Sequence, residues 1–261
     1  MKRIIALFND HTSNQSIIES CLQIATLFDI EIVLCHLIAA PKDWEVLNRT
    51  QRDKYPNEKL RINEVRLYLD KQLADLRQEN IKAKKKFLFY DESESPFEDD
   101  FTKDDLIISD VCLFNKHAEL NSYLFNLPFP KLIIDKAFDI KDVMDIVFTS
   151  NFKPLKDETS EILAKLYSVL DFTLNLVFIN TKEVQESSEI SITNMKEVIA
   201  SNHFSKTSIS IFYSDRKLAG AKLFSEMKGG DLIIIESTGE ISYTEILDLN
   251  LPLLIVNNYE G

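Results

Sequence analysis

Two runs decide the fold. The first is Gly229-Gly230-Asp231-Leu232-Ile233-Ile234-Ile235-Glu236-Ser237-Thr238-Gly239. The second, after a short polar connection, is Leu249-Asn250-Leu251-Pro252-Leu253-Leu254-Ile255-Val256-Asn257-Asn258. Each apolar core is too short for a helix and is bounded by Gly, Pro or Asn, so each reads as a buried strand. The first ends where a glycine-containing turn opens a helix, the edge at which open α/β sheets place ligands. An earlier copy of the same wording stands upstream. It reads Asp104-Asp105-Leu106-Ile107-Ile108-Ser109, then Leu127-Pro128-Phe129-Pro130-Lys131-Leu132-Ile133-Ile134-Asp135.

Working outward, the pattern alternates strand and helix along the whole chain. Apolar runs predict strands at 2–10, 31–39, 85–91, 105–109 and 131–135, and again at 144–151, 173–180, 207–214, 231–236 and 251–257. Between them, apolar residues recur at helical spacing. Ile17, Ile18, Cys21, Leu22, Ala25 and Phe28 form one stripe. Ile62, Val65, Leu69, Leu73 and Leu76 form another over 57–80, and Ile162, Leu166, Val169 and Leu170 a third over 156–170. Helices are also predicted at 190–202 and 217–227, with short ones at 96–103, 118–125 and 243–247. The polar stretch 41–56 reads as an irregular loop whose Trp44 packs on the domain edge.

The halves share local wording. Phe89-Tyr90 answers Phe212-Tyr213, and Asp105-Leu106-Ile107-Ile108 answers Asp231-Leu232-Ile233-Ile234. Repeated β-α units with short connections mean parallel sheets with right-handed crossovers. The expectation is an α/β protein of two tandem three-layer domains, 1–138 and 143–258, each with a five-stranded parallel sheet.

Composition bounds the function. A formal net charge of −12 opposes nucleic acid and anionic membrane as partners. No apolar run spans a bilayer, and Met1-Lys2-Arg3 leads straight into a strand without a signal-peptide pattern, so a cytoplasmic protein is expected. Cys21, Cys35 and Cys112 include no C-x-x-C pair and read as structural thiols. The histidines, His11, His36, His117 and His203, show no zinc spacing. His36 lies mid-strand and reads as a core residue, whereas His11 follows the first strand at the ligand edge. No nucleophile elbow or Walker loop occurs, so no catalytic residue and no metal site are expected.

At this point the chain resembles the universal stress proteins. Residues 4–10 resemble that family's first strand, which ends in an Asp that meets a nucleotide's adenine. Leu34-Cys35-His36-Leu37-Ile38 resembles its second strand, at the base pocket. Asp231-Leu232-Ile233-Ile234 resembles its fourth strand, and Leu251-Pro252-Leu253-Leu254-Ile255-Val256 its closing strand. In that family the closing strand lies at the sheet edge and pairs with its equivalent in a partner, so the resemblance implies that Lys131 to Asp135 and Leu253 to Asn257 pair within this chain as an intramolecular pseudo-dimer, with a further homodimer compatible. Such pairing would cover apolar sheet edges that otherwise invite aggregation.

The family's phosphate motif is Gly-x-x-Gly followed, after a spacer, by Gly-Ser/Thr, whose glycines let backbone amides approach phosphate. Here Glu236-Ser237-Thr238-Gly239 keeps only Gly239. The twelve residues between Gly239 and Pro252 contain no glycine, and Ser109-Asp110-Val111-Cys112 keeps none of the motif. Lost amide contacts and an added carboxylate each cost on the order of a few kcal/mol of phosphate binding.

The resemblance therefore implies a non-catalytic stress-response or regulatory protein with lost or weakened ATP binding, acting through an unidentified protein partner. The alternative is a small-molecule or nucleotide (AMP or ATP) binder, or a weak hydrolase, with a remodelled strand-end pocket. The candidate ligand residues are Asn9, Asp10, Leu37, Ser150, Asn151, Ser237, Thr238 and Gly239. A third reading is an acidic scaffold docking a basic partner through the run from Asp91 to Asp105.

Overall fold

The computed structural model describes residues 1–8, 14–41, 43–90, 101–111, 113, 124, 127–153, 155, 157–182, 187–237, 241 and 243–257. The side chains of Ser237, Tyr243, Leu247 and Asn257 are outside that description. The chain divides into two compact units. One comprises Met1–Leu124 with Lys136–Phe138, and the other Phe125–Asp135 with Asp139–Gly261.

In the first unit, strands β1 (Arg3–Phe8), β2 (Glu31–Ala39), β3 (Ala83–Tyr90) and β4 (Asp105–Asp110) lie in the order β3-β2-β1-β4, every neighbour parallel. Residues Ile4 to Phe8 are fully buried, as continuous apolar runs predict for strands covered on both faces. Helix α1 (Asn14–Phe28) packs on β1 and β4 through Ile17, Ile18, Cys21, Ile24 and Ala25. Helix α3 (Pro56–Gln78) packs on β2 and β3 through Ile62, Leu69, Leu73 and Leu76. At the start of β1, Arg3 Nε donates to Asp105 Oδ1 at 2.9 Å, fixing the β1–β4 register at Arg3↔Asp105.

The polar loop contains one element absent from the sequence reading, the one-turn helix α2 (Arg49–Arg52). A reciprocal box holds it: Gln51 N–H donates to Asn48 Oδ1 at 3.0 Å, and Asn48 N–H to Gln51 Oε1 at 2.8 Å. Trp44 is buried beside Ile38, Ala40 and Ile62, its ring edge-on to Tyr55 and stacked near Phe89.

The second unit contains β5 (Lys131–Ile134), β6 (Asp145–Thr149), α4 (Asp157–Val169), β7 (Thr173–Asn180), α5 (Ser188–Asn202), β8 (Thr207–Tyr213), α6 (Lys217–Lys228), β9 (Leu232–Ser237), α7 (Tyr243–Leu247) and β10 (Leu253–Asn257). Its strand order is β5-β10-β9-β6-β7-β8. Its neighbouring strands are parallel except β5 and β10, which run antiparallel with Leu253↔Ile133, Leu254↔Leu132 and Ile255↔Lys131 in register.

The ten mostly parallel strands and the α/β class agree with the sequence reading. By compactness β5 groups with the second unit, so one unit holds four strands and the other six. In α4, Val169 is 40% exposed while Leu163 is fully buried, so the apolar face sits a part-turn away from the predicted stripe. Most of the predicted helices 118–125 and 96–103 falls outside the described residues.

Two glycines earn their places. Gly229 ends α6 in the left-handed region at φ 71°, which residues with a Cβ rarely adopt. Gly220 lets α6 lie close on β7: a Cβ there would stand 2.7 Å from Ile179 Cγ2.

Candidate functional site: the strand ends of the second unit

Parallel strands deliver their carboxyl ends to one edge of a sheet. In the second unit the register Thr149↔Ile235 between β6 and β9 places Ser150 beside Glu236. Both side chains are buried, as is Thr159 in the first turn of α4. Ser150 Oγ donates to Glu236 Oε2 at 2.7 Å, and Thr159 Oγ1 donates to Glu236 Oε1 at 2.9 Å. Ser150 Oγ in turn accepts the Phe152 N–H at 2.8 Å, with Phe152 in the left-handed region at φ 49°. The Glu236 carboxylate is therefore tied to the interior by two hydroxyls, each carboxylate oxygen engaged.

On the backbone side, Lys217 Nζ at the start of α6 donates to the Glu236 carbonyl at 3.0 Å. Burial pulls the Lys217 amine down to about 8, and Glu236 offsets part of that shift by favouring the charged form. One residue before Ser150, Thr149 Oγ1 is buried with no hydrogen-bond partner.

The sequence-predicted residues distribute as follows. Ser150 lies inside the Glu236 network, with half-buried Asn151 next in the chain. Ser237 ends β9 opposite Asn257 of β10. Leu37, in the first unit, is buried in β2 opposite Leu88. Asn9, Asp10, Thr238 and Gly239 lie outside the described residues, as do His11 and residues 91–100 of the acidic run.

At the corresponding strand end of the first unit, buried Asp110 accepts the Leu113 N–H through Oδ1 at 2.9 Å. His36 is buried, and its neutral ring donates from Nδ1 to the Leu37 carbonyl at 3.0 Å. Desolvation lowers its pKa to about 4, outweighing that hydrogen bond.

Thr159 and Lys217 are the site residues that sequence reasoning missed. The signal for Thr159 was present, because it shares the helical face of Leu163 and Leu166, where a hydroxyl needs a partner.

A separate cleft of about 770 Å³ opens at the ends of β7 and β8, lined by Asn180, Thr181, Lys182, Ser187, Tyr213, Ser214 and Asp215. Lys182 Nζ pairs with Asp215 at 2.9 Å, and Tyr213 is 69% exposed. Among the described residues no group of three or more His, Cys, Asp or Glu could hold a metal ion. No described helix is long and apolar enough to cross a membrane.

The fold is that of the universal stress proteins. A universal stress protein from Archaeoglobus fulgidus DSM 4304 superposes with a TM-score of 0.68 at 13% identity, covering 99% of this chain and 97% of that one. A structure from Pseudomonas aeruginosa UCBPP-PA14, provisionally assigned to the same class, gives 0.60 at 13% identity over 98% and 93%. A functionally unknown protein from Pseudomonas aeruginosa PAO1 gives 0.55 at 13% identity over 98% and 92%. No protein-family model and no curated protein matches the sequence.

Proposed function

We propose that this chain is a non-catalytic regulatory protein of universal-stress-protein type in which ATP binding is lost or weakened, and which acts through contacts with a protein partner. The observation that carries this reading is the buried Glu236 carboxylate on Ser150 and Thr159. A nucleotide phosphate brought to this strand end would meet like charge, and the Ser150 and Thr159 hydroxyls already have an acceptor. Displacing the carboxylate would break two charge-assisted hydrogen bonds, on the order of 1.5–3 kcal/mol each. Calorimetric titration with ATP, ADP and AMP tests the reading, with no binding expected at micromolar nucleotide. A micromolar dissociation constant for the wild-type chain would overturn it.

The cleft at the ends of β7 and β8 supports a second reading, a small-molecule or nucleotide binder with a remodelled pocket. It is concave, polar and carries an exposed aromatic residue. That reading expects AMP or ATP to raise the melting temperature of the wild-type chain but not of Tyr213→Ala.

A further inference from the structure

In each unit one outermost strand directly follows a long helix, β3 after α3 and β8 after α5, and the two are guarded differently. In the first unit this strand is β3, which carries Lys84, Lys85 and Lys86 in succession. Lys84 pairs with Glu31, and Lys85 with Asp70. Consecutive lysines on an edge are a common defence against strand pairing. In the second unit it is β8, Thr207-Ser208-Ile209-Ser210-Ile211-Phe212-Tyr213, which has no charged residue, no proline and no glycine. Its residues are only partly covered, and among the described residues it pairs with β7 alone.

The backbone direction of this edge can be read from two hydrogen bonds. Leu174 N–H donates to the Lys206 carbonyl at 2.8 Å, and Ser214 N–H donates to the Asn180 carbonyl at 3.1 Å. In a parallel ladder the N–H and C=O of one residue face the same neighbour, and alternate residues face opposite ways. Ser208, Ser210 and Phe212 therefore turn their backbone groups to β7. Thr207, Ile209, Ile211 and Tyr213 turn theirs to the open side.

We infer that this edge is a self-association surface on which β8 of a second copy of the chain adds antiparallel, related by a two-fold axis through Ser210. In that register Ile209 opposes Ile211 of the copy, and Thr207 opposes its Tyr213. Every outward N–H and C=O of both strands then has a partner. Shifting the axis to Ile209 or Ile211 strands an end of the ladder. No charge opposes another in the pairing, and two symmetric Ile–Ile contacts flank the axis. Antiparallel addition uses the same edge on both copies, so it is isologous and closes the assembly as a two-fold dimer.

Ser210 opposes itself as a non-hydrogen-bonded pair, which brings its Cα atoms to about 4.5 Å, within the range a disulfide bridges. The overall charge of −12 opposes association, so the dimer strengthens with added salt.

The test uses the full chain, with Cys112→Ser as background. Cys21 and Cys35 are buried, and desolvation raises both thiols, so neither competes for oxidation. Light scattering from micromolar to millimolar concentration is expected to show a mass that doubles. In Ile209→Lys with Ile211→Lys, like charges meet twice across the axis, and the dimer should weaken at least tenfold. Under mild oxidation Ser210→Cys should become a covalent dimer, whereas Ser208→Cys, opposite Phe212 of the copy, should not. If the double lysine variant does not fold, the cysteine pair decides the matter.

A monomer at every concentration refutes the inference. So does a dimer that ignores the lysines and gives no crosslink at 210. Capture of a foreign extended peptide on β8 without self-association also refutes it.

Discussion

Lys131 offers the most direct physical test of the second unit. It is 2% exposed in β5, opposite Ile255 of β10, and its Nζ donates to the Leu127 carbonyl at 2.6 Å and the Phe129 carbonyl at 2.8 Å. Desolvation lowers its pKa from 10.5 to about 7. The unfolded chain holds this proton to higher pH than the native chain does. Between pH 7 and 10.5 the unfolded state therefore binds more protons, and stability rises with pH across that window. Below it the cost of burying the ammonium is fully present, and above it the cost is gone.

At about 1.4 kcal/mol per factor of ten, the full change has a ceiling of roughly 5 kcal/mol, and water reaching the amine would reduce it. Lys217, lowered to about 8, adds a smaller rise in the upper part of the window. Lys131→Met isolates the Lys131 contribution. Urea unfolding of both proteins across the window should give a wild-type profile that climbs by about 2–5 kcal/mol more than the variant's. Parallel profiles would refute the reasoning, because the ammonium would then be solvated in the native state.

Three further outcomes follow from the geometry. His36, lowered from 6.5 to about 4, must be charged on unfolding in acid, so stability falls as pH drops through that window by up to roughly 3 kcal/mol. His36→Gln should remove that slope from acid unfolding curves. Ser150→Ala and Glu236→Gln should each cost about 1–3 kcal/mol, and their double-mutant cycle should show coupling of at least ~1 kcal/mol, whereas additive losses would mean the hydroxyl does not serve the carboxylate. Gly220→Ala should lower stability by about 1–3 kcal/mol in chemical unfolding, since its methyl would press on Ile179 and Ser214.

How far the sequence carried depended on whether a feature was local. The runs 231–236 and 251–257 became β9 and β10 because continuous apolar stretches bounded by Gly, Pro and Asn have few other ways to bury themselves. The direction of the β5 ladder was not local. Lys131-Leu132-Ile133-Ile134 reads as a strand whichever way it pairs, and the folded chain sets it antiparallel to β10. Helix α2 escaped notice because one turn carries no periodicity, and its Asn48–Gln51 box is two residues in a polar loop. In α4, Val169 and Leu163 both suit an apolar stripe, and the choice between them rests on how the helix is rotated over the sheet.

Glu236 shows the same limit at the site. Read in sequence, it is a charge standing where the resemblance expects a glycine, and its evident effect is repulsion of an anion. In the folded chain it is also a packed and satisfied group, its two oxygens held by a strand-end serine and a helix threonine many residues apart. A carboxylate merely tolerated at a strand end would turn to water, where solvation costs nothing. Burial with a hydroxyl on each oxygen offsets the desolvation penalty only if both partners are in place. Removing the charge alone should therefore destabilise the second unit instead of relieving it. That sign separates a group built into the packing from a glycine position that simply decayed.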